Sequence, residues 1–414
     1  MHTIIVGGGI GGLALAAGLR RQGFDVSVFD RDSDVAQTGG YHITLDGRAQ
    51  AALRELVAPE IFERLLASAS ALRLRDRDAL WDRRGRLLGY GPRLEDSPSV
   101  DIDRITLRKI LADAAGPDLY LGRTVTDIGR TAQGEPTAVF ADGSCCRGDL
   151  LVGADGAHSL VARHLTGRST SEPTGIVGFS GRTGAERLTA RERHRLGTRS
   201  GMAVGPRATA LYIGFLDPVG NAVLGATDRR EAITTGPTYI WGAMFPESAA
   251  TDSLRTLRGD ALRSALTARF ARSGWRRSTL EVVERAEPDS IAAFRFNASS
   301  TRARDLAPWA AGPVTALGDA VHATPPTAGM GAGAAIRDAA SLVARLGTVV
   351  SGTSTLAVAV SEFEADMRVR GSEILVRAMR TVRWMRATDT PLGVAATGLA
   401  TPVLATANLL ARRR

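Results

Sequence analysis

The chain has 414 residues, of which 44% are hydrophobic and 23% are charged, and its formal net charge at pH 7 is +9. Such a composition is typical of a soluble globular protein, and the length suffices for two or three ordinary domains or one large two-part chain. The positive charge is almost all arginine scattered among acids, with Lys109 as the only lysine. We therefore expect no nucleic-acid partner, although a basic surface would favour anionic small molecules.

The cysteines and the chain ends favour a cytoplasmic protein without a metal site. Cys145 and Cys146 are adjacent, a spacing that suits neither a structural zinc site nor an ordinary disulfide framework. The N-terminus enters a strand pattern at once, which leaves no room for a signal peptide. Residues 390–411 are uncharged but only weakly apolar, with Pro391 and Pro402 among them. A packed terminal helical segment is favoured there, and membrane contact is not expected.

The first thirty residues predict a strand–helix–strand unit that binds a dinucleotide. Residues 3–30 read TIIVGGGIGGLALAAGLRRQGFDVSVFD. In the G-x-G-x-x-G spacing, Gly7 permits the tight turn, Gly9 lets a pyrophosphate approach the backbone and Gly12 lets helix and strand pack closely. The helix amides then face the phosphates. Asp30, at the end of the second strand, can accept hydrogen bonds from a ribose. The motif alone does not distinguish NAD from FAD.

Two later segments repeat this arrangement of strand, glycine turn and helix. Residues 149–165, DLLVGADGAHSLVARHL, predict a strand, an Asp–Gly turn at Asp155 and a helix that Ser159 could cap. Residues 318–333, GDAVHATPPTAGMGAG, follow another apolar strand and are nearly uncharged. Their prolines stiffen the loop, and their glycines let bare backbone approach something flat. The next helix, from about Ala334, points its N-terminus back to the same place.

Together and in this order, the three motifs resemble the FAD-dependent aromatic hydroxylases, the single-component flavoprotein monooxygenases of the p-hydroxybenzoate hydroxylase type. The resemblance spans roughly residues 1–385 and implies non-covalent FAD, with NADPH or NADH as co-substrate. It also implies transfer of one O2-derived oxygen to an aromatic or polycyclic substrate through a flavin C4a-hydroperoxide. The residues expected to contact FAD are Gly7, Gly9, Gly11, Gly12, Asp30, Arg31, Arg48, Arg104, Val125, Asp155, Asp319, Pro325, Gly329, Gly331 and Ala332.

The resemblance also assigns roles within that set. Asp319 would hold the ribityl chain, the Pro–Pro and glycine segment would lie along the isoalloxazine ring, and the amides near Gly331 would face its pyrimidine end. Arg48 and Arg104 each match a family arginine at a helix start, and Val125 matches a position whose backbone meets the adenine. For each arginine the alternative is a solvated charge at a helix end.

The sequence departs from the family pattern at the D-G motif, which Asp155 and Gly156 match here. In the family this motif usually continues to a serine, here Ser159, with an arginine three residues later. Here that position is Ala162, and the arginine arrives at Arg163. On a helix this shift rotates the side chain by about 100°. Because the family links this motif to both FAD and NAD(P)H, nicotinamide use is less certain than FAD binding.

We predict an α/β fold: a Rossmann-like FAD-binding domain interleaved with a mixed β-sheet substrate domain, plus C-terminal helices. The FAD-binding domain would comprise residues 1–70, 100–169 and 291–385, and the substrate domain residues 71–99 and 170–290. Residues 386–414 would form the C-terminal helical segment. Strand-like runs from residue 170 to about residue 295 include TGIVGFSG, ATALYIGFLD, AVLGAT, TYIWGAMFP and SIAAFRF.

Aromatic and methionine residues of that sheet are candidates for the substrate pocket, with core packing as the alternative for each, because alternate strand residues face opposite sides. The main candidates are Tyr212, Trp241, Met244 and Phe294, and Phe215, Phe245 and Phe296 are further ones. His42 could polarise a substrate or hydrogen-bond within its loop, whereas His322 is expected to be structural. No metal motif, catalytic triad or P-loop lysine is present, which fits chemistry carried by a cofactor.

The expected partners are a small aromatic substrate and O2, and the protein is expected to be a monomer or homodimer. Two alternatives to a monooxygenase stay open from the sequence. One is an FAD-dependent reductase or oxidase that uses another electron route, which the altered D-G motif favours slightly. The other is a non-catalytic FAD-binding redox sensor.

Overall fold

The computed structural model describes residues 1–37, 42–232, 234, 236–396, 399–401 and 404. Within them the strands are β1 (His2–Val6), β2 (Asp25–Phe29), β3 (His42–Leu45), β4 (Ser70–Ala71), β5 (Ala79–Asp82), β6 (Leu87–Tyr90), β7 (Val100–Asp103), β8 (Leu119–Tyr120), β9 (Val125–Arg130), β10 (Pro136–Phe140), β11 (Cys145–Arg147), β12 (Leu150–Gly153), β13 (Glu172–Gly184), β14 (Gly201–Val204), β15 (Ala210–Leu216), β16 (Thr238–Pro246), β17 (Ala292–Ala298) and β18 (Val314–Ala316).

The α-helices of the described residues are α1 (Ile10–Arg21), α2 (Gly47–Leu56), α3 (Pro59–Ala67), α4 (Arg104–Ala115), α5 (Leu160–Thr166), α6 (Ala190–Leu196), α7 (Ala249–Thr256), α8 (Gly259–Arg272), α9 (Glu281–Glu284), α10 (Asp319–His322), α11 (Gly331–Val350) and α12 (Leu356–Ala387).

A five-stranded parallel sheet, in the order β18-β12-β1-β2-β8, carries all three glycine motifs at the carboxyl ends of its strands. Its central strands are buried on both faces, which is why they are short continuous apolar runs. The predicted first unit is confirmed, with α1 ending just before Gly23, whose φ is +79°. Because carboxyl ends of parallel strands share one edge, β1, β12 and β18 bring the three motifs together.

Two small antiparallel sheets flank this layer. One has the order β11-β10-β9, and the other has the order β3-β7-β4. In the second sheet His42 pairs with Asp103, the residue before α4. The β3-β7-β4 sheet therefore connects the start of α4, where Arg104 lies, to the region that follows the first βαβ unit.

A seven-stranded mixed sheet forms the second half of the molecule, in the order β17-β13-β16-β15-β14-β5-β6. The expectation that residues 71–91 join it is confirmed by β5 and β6. One predicted boundary differs, because Ala292–Ala298, assigned above to the FAD-binding domain, pairs with β13 as the edge strand of this sheet. The AVLGAT run (residues 222–227) is not a strand; it follows a turn and makes one isolated bridge, between Ala222 and Ser70.

The seven-stranded sheet has two differently packed faces. One face packs against α8 and α9 in a core that includes Phe179, Phe215, Trp241, Phe245 and Phe270. The opposite face packs against the C-terminal half of α12 in a smaller cluster that includes Met244, Phe296, Val382 and Met385. The predicted C-terminal helical segment is described only in part: residues 391–396, 399–401 and 404 are helical, and the rest of 386–414 beyond residue 396 lies outside the described residues.

Candidate functional site

The first glycine loop has one open position between two crowded ones. A Cβ atom at Gly7 would lie 2.4 Å from the Ala154 carbonyl oxygen, and one at Gly12 would lie 2.0 Å from the Gly7 carbonyl oxygen. At Gly9, by contrast, a Cβ would meet no described atom within 4 Å. Gly7 and Gly12 are thus required for packing, while Gly9 faces free space at the N-terminus of α1, where helix amides lack intrahelical partners. This is the geometry that admits a pyrophosphate.

Asp30 is buried directly behind this loop and is held by backbone amides. Its carboxylate accepts hydrogen bonds from the N–H of Gly8 at 2.5 Å and of Asp32 at 2.8 Å. The guanidinium of Arg108 lies 3.3 Å from the same carboxylate and donates to the Gly8 carbonyl oxygen at 2.8 Å. A carboxylate accepts about four hydrogen bonds, so Asp30 retains capacity for a ribose hydroxyl.

Arg108 was not among the sequence candidates. It lies one helical turn after Arg104 on α4, on the same side of the helix, and this i, i+4 spacing was the available signal. Its guanidinium also donates to Asp32 at 2.9 Å and to the Gln37 carbonyl oxygen at 3.1 Å. Arg108 therefore fixes the segment that follows β2.

Arg104 and Asp319 face each other across the site. The Nε of Arg104 is buried and has no hydrogen-bond partner among the described residues, and burial lowers the pKa of its guanidinium. Asp319 is accessible to solvent yet has protein on most sides. Burial raises the pKa of its carboxyl, and the charges of His322 and Arg104 partly offset that rise. An unpaired guanidinium inside a protein is costly unless an anion approaches it. The pair therefore leaves donor and acceptor capacity for a polar ligand.

The proline and glycine loop of residues 325–331 is tied to β3 and to α12. Gly329 has a φ of +63°, and a Cβ there would lie 3.7 Å from the Thr44 hydroxyl on β3. The Thr327 hydroxyl donates to the Ala378 carbonyl oxygen on α12 at 3.0 Å. At the loop's end α11 begins at Gly331, where a Cβ would lie 3.7 Å from Asp319 Oδ1. The long helix α11 therefore aims its positive end at the space beside Asp319.

The remaining FAD candidates differ in their exposure. Gly11 packs against Leu317, Pro325 is buried, and Ala332 lies half-buried in the first turn of α11. Val125 is half-buried against the cluster of Val6 and Phe29. Arg31 and Arg48 are exposed, and Arg48 precedes Ala49, which packs against Gly333 in the first turn of α11. The roles of all these residues toward FAD stay predictions.

The D-G motif is engaged in starting a helix. Both carboxylate oxygens of Asp155 are bonded, one to the Ser159 hydroxyl at 2.5 Å and one to the N–H of Leu160 at 2.7 Å. Ser159 caps α5 as expected, accepting from the N–H of Ala162 at 2.9 Å. The Asp155 side chain therefore serves the helix start, and its role toward FAD stays a prediction.

The altered arginine of this motif has a clear structural outcome. Ala162 is fully buried, whereas Arg163 is exposed to solvent. The rotation of about 100° per residue thus turns the arginine away from the position that the family's arginine would occupy.

A buried ionic cluster lies behind the Gly318–Asp319 turn. Of its members, only His322 was singled out from the sequence. Asp338 accepts from His322 Nε2 at 2.5 Å and from the Gly318 N–H at 3.1 Å. Its other oxygen accepts two hydrogen bonds from the Arg370 guanidinium, at 3.1 and 3.2 Å. Burial alone would lower the pKa of His322, but the Asp338 carboxylate outweighs it and raises that pKa above its ordinary value. This cluster joins α10, α11 and α12.

The substrate candidates divide between the two faces of the seven-stranded sheet. Tyr212, Met244 and Phe294 lie on the face toward α12, whereas Trp241 is fully buried on the opposite face against α8. The candidacy of Trp241 is thereby corrected, because Trp241 and Met244 are three residues apart on one strand and point to opposite sides. Phe215 and Phe245 share the core with Trp241, and Phe296 joins the other face.

A polar network joins this face to Thr44, which lies against the loop of residues 325–331. The Tyr212 hydroxyl lies 3.3 Å from His42 Nε2, and the two rings stack with centroids 5.7 Å apart. Burial, and next the Asp101 charge, raise the pKa of Tyr212, so the phenol stays protonated. Beside them Thr44 donates to Asp101 at 2.6 Å, and Arg75 pairs with Asp101 at 2.9 Å.

These observations fit FAD at the carboxyl edge of the parallel sheet. Gly9 is open at the α1 N-terminus, Asp319 is accessible beside the α11 N-terminus, and the charges of Arg104 and Asp319 interact. The two helix N-termini suit a ligand with a diphosphate at one end and an anionic ring edge at the other.

Comparison with known proteins agrees with the fold and with FAD as the cofactor. Residues 5–50 match the family described as NAD(P)-binding Rossmann-like domain, and residues 255–361 match the family described as FAD binding domain. The chain is 28% identical to the dual O-methyltransferase/FAD-dependent monooxygenase elcB of Phaeosphaeria nodorum, over 91% of this chain and 45% of that protein. It therefore spans less than half the length of that relative.

A relative of similar length is the FAD-dependent urate hydroxylase of Klebsiella pneumoniae, 26% identical over 92% of this chain and 89% of that protein. The crystal structure of Klebsiella pneumoniae HpxO with FAD and uric acid superposes with a TM-score of 0.73. It shares 23% identity and covers 98% of this chain and 93% of that chain, and this likeness supports the fold. The predicted α/β fold is thus confirmed.

The chain is therefore similar to the FAD-dependent hydroxylases and monooxygenases, and the comparisons support an enzyme of this kind with FAD as its cofactor. The resemblance inferred from its three glycine motifs is confirmed. None of the helices in the described part of the chain combines the length and apolar character that crossing a membrane requires.

Proposed function

We propose that this protein is an FAD-dependent monooxygenase that inserts one oxygen atom from O2 into an aromatic or polycyclic substrate, with NADH or NADPH as the reductant. The observation that carries the proposal is that the loop expected to lie along the flavin contacts two elements that also border the substrate-side face of the seven-stranded sheet. The loop 325–331 contacts β3 through Thr44 and α12 through Ala378, and β3 and α12 both border the apolar face that bears Tyr212 and Met244.

The chemistry that FAD would supply when bound is reduction by NAD(P)H and then activation of O2 for transfer of one oxygen atom. The chain's own residues would position and shield. The α1 N-terminus and Arg104 would neutralise the phosphates, and Asp319 would accept hydrogen bonds from ribityl hydroxyls. The nearly uncharged loop, closed by the Thr327–Ala378 hydrogen bond, would keep water from the reacting face.

The first test is anaerobic reduction of the bound flavin by NADH and by NADPH, alone and with a panel of phenols, polycyclic quinones and indoles. Acceleration by one compound class, followed by transfer of label from 18O2 into that compound, is the expected result. Reduction that yields only H2O2, with no labelled product for any compound, would contradict the monooxygenase assignment.

One observation favours a second candidate, an FAD-dependent enzyme that receives electrons by another route. Ala162 is buried where the family has an arginine linked to NAD(P)H, and Arg163 faces solvent. If neither nicotinamide bleaches the flavin under any condition, while a reduced electron carrier such as ferredoxin does, this candidate would replace the first. Stably bound FAD that no reductant and ligand combination turns over would indicate a redox sensor.

A further inference from the structure

The face of the seven-stranded sheet toward α12 has a floor without side chains at its centre. Ser180, Gly242 and Tyr212 lie opposite one another on β13, β16 and β15, so they form one row and point to the same side. A Cβ at Gly242 would have Tyr212 Cβ, 3.9 Å away, as its nearest described neighbour. The row therefore encloses an open strip two strand spacings wide, roughly 10 Å.

One hydroxyl group stands at an end of this strip, and another lies beyond the opposite end. Ser180 is 7% exposed, and its Oγ has no hydrogen-bond partner among the described residues. Beyond the other end, the Tyr212 hydroxyl lies over Gly214 of the same strand, with His42 Nε2 at 3.3 Å and Ser200 as a second hydrogen-bond partner. One lone pair of the phenol oxygen is therefore left to accept from a ligand hydroxyl. A buried hydroxyl without a partner is unfavourable, and an oxygen of a ligand lying on Gly242 would remove that cost.

Two neighbouring glycines on this face, Gly178 and Gly214, are closed by rings, which singles out Gly242. A Cβ at Gly178 would lie 2.5 Å from the ring of Phe294, and Phe294 stacks on Phe296 with centroids 5.6 Å apart. Met244, two residues beyond Gly242 on β16, belongs to the same apolar cluster. The open strip is therefore bordered by apolar groups along one side, by the Ser180 hydroxyl at one end and by the Tyr212 side chain at the other.

The charges around the strip disfavour an anion. The charges of Asp78 and Asp101 both raise the pKa of Tyr212. One arginine, Arg75, pairs with Asp78 at 3.2 Å and with Asp101 at 2.9 Å. Arg182, two residues from Ser180, pairs with Glu287 at 3.3 Å. The overall net charge of +9 therefore does not describe this site, where carboxylates are at least as numerous as arginines.

We propose that the Gly242 floor between Ser180 and Tyr212 is the substrate subsite, and that it selects a flat, uncharged fused-ring compound carrying a hydroxyl or carbonyl oxygen. The glycine lets the ring lie against the strand, and the two hydroxyls read the ring's oxygen. Aromatic acids are excluded because their carboxylate would meet Asp78 and Asp101 instead of a free arginine. This inference deepens the proposed function and names the substrate class for the same site.

The test compares two matched glycine variants of the FAD-loaded protein, Gly242→Val and Gly89→Val. Gly89 lies on β6 of the same sheet, and a Cβ there meets no described atom within 4 Å. Both changes place a β-branched residue in a strand with room for it. Binding of 2-naphthol and of 2-naphthoate would be measured by isothermal titration calorimetry.

We expect 2-naphthol to bind, Gly242→Val to weaken its binding at least tenfold, and Gly89→Val to leave it unchanged. Ser180→Ala and Tyr212→Phe should each weaken binding by about tenfold or less, as for loss of one hydrogen bond. The wild type should bind 2-naphthoate at least tenfold more weakly than 2-naphthol.

Three results would overturn the inference: no binding of 2-naphthol to the wild type, equal binding by the wild type and Gly242→Val, or tighter binding of 2-naphthoate. Urea midpoints of the two glycine variants would show that both are folded. Since binding is measured without turnover, a protein that binds 2-naphthol as expected but never transfers oxygen would contradict the proposed function and leave the subsite standing.

Discussion

The buried cluster of His322, Asp338 and Arg370 offers a sharp test of how the Gly–Asp turn is held. Replacing Asp338 by asparagine keeps the size of the side chain and removes the charge that both cations share. The His322 Nε2 contact is 2.5 Å, and the shorter Arg370 contact is 3.1 Å. His322 and Asp338 are fully buried, so neither solvent nor salt screens the pair well.

The magnitude follows from these distances and from desolvation. At an effective dielectric constant of about 20, two unit charges about 3 Å apart attract by about 5 kcal/mol. Desolvation of the ions offsets much of that attraction, and removal of one partner from a buried pair typically costs about 3–5 kcal/mol. We therefore expect Asp338→Asn to lower the free energy of unfolding by about 3–5 kcal/mol at pH 5.5.

The cost should depend on pH in a definite direction. The pKa of His322 is raised in the folded protein, so its stabilising contribution is complete below its unfolded value of about 6.5 and is lost as pH rises through the folded value. The pKa of Asp338 is lowered, so its contribution is complete above about 3.9 and is lost only in stronger acid. The variant should therefore cost more at pH 5.5 than at pH 9.

The assay is urea unfolding of the FAD-loaded protein, followed by the rise in flavin fluorescence on release. The control is Asp82→Asn, since Asp82 is also a buried carboxylate but pairs with Arg86 at 2.7 Å and contacts no histidine of the described residues. Its cost should be the same at both pH values. An equal cost of Asp338→Asn at pH 5.5 and pH 9 would show that His322 is not charged beside Asp338 and would refute the reasoning.

Two further predictions concern the FAD site. Arg104→Met should raise the dissociation constant of FAD by roughly tenfold to a hundredfold, because a charge-assisted hydrogen bond is lost. The exposed control Arg163→Met should not change that constant. Equal FAD affinities of the wild type and Arg104→Met in flavin fluorescence titrations would contradict this prediction. Gly9→Val should give a folded protein that no longer retains FAD on gel filtration. Gly12→Val should instead fail to fold, because its Cβ would lie 2.0 Å from the Gly7 carbonyl oxygen. Retention of FAD by Gly9→Val would show that the pyrophosphate does not pass Gly9.

The sequence by itself determined the elements whose chemistry is local. The spacing of Gly7, Gly9 and Gly12 between an apolar strand and a helix predicts the first unit, because turn, cap and periodicity are all set within a few residues. The same holds for Ser159 as a helix cap and for the strands that precede the other two motifs. The order of the three motifs was enough to predict the fold class and FAD.

Tertiary structure alone decided which side chains meet. Strand alternation puts Trp241 and Met244 on opposite faces, but which face receives helices α8 and α9 depends on how distant segments pack. Asp338 and Arg370 come from two long helices, and no local pattern pairs them with His322. For the same reason the edge position of β17 became visible only through its register with β13, because strand pairing joins residues over a hundred positions apart.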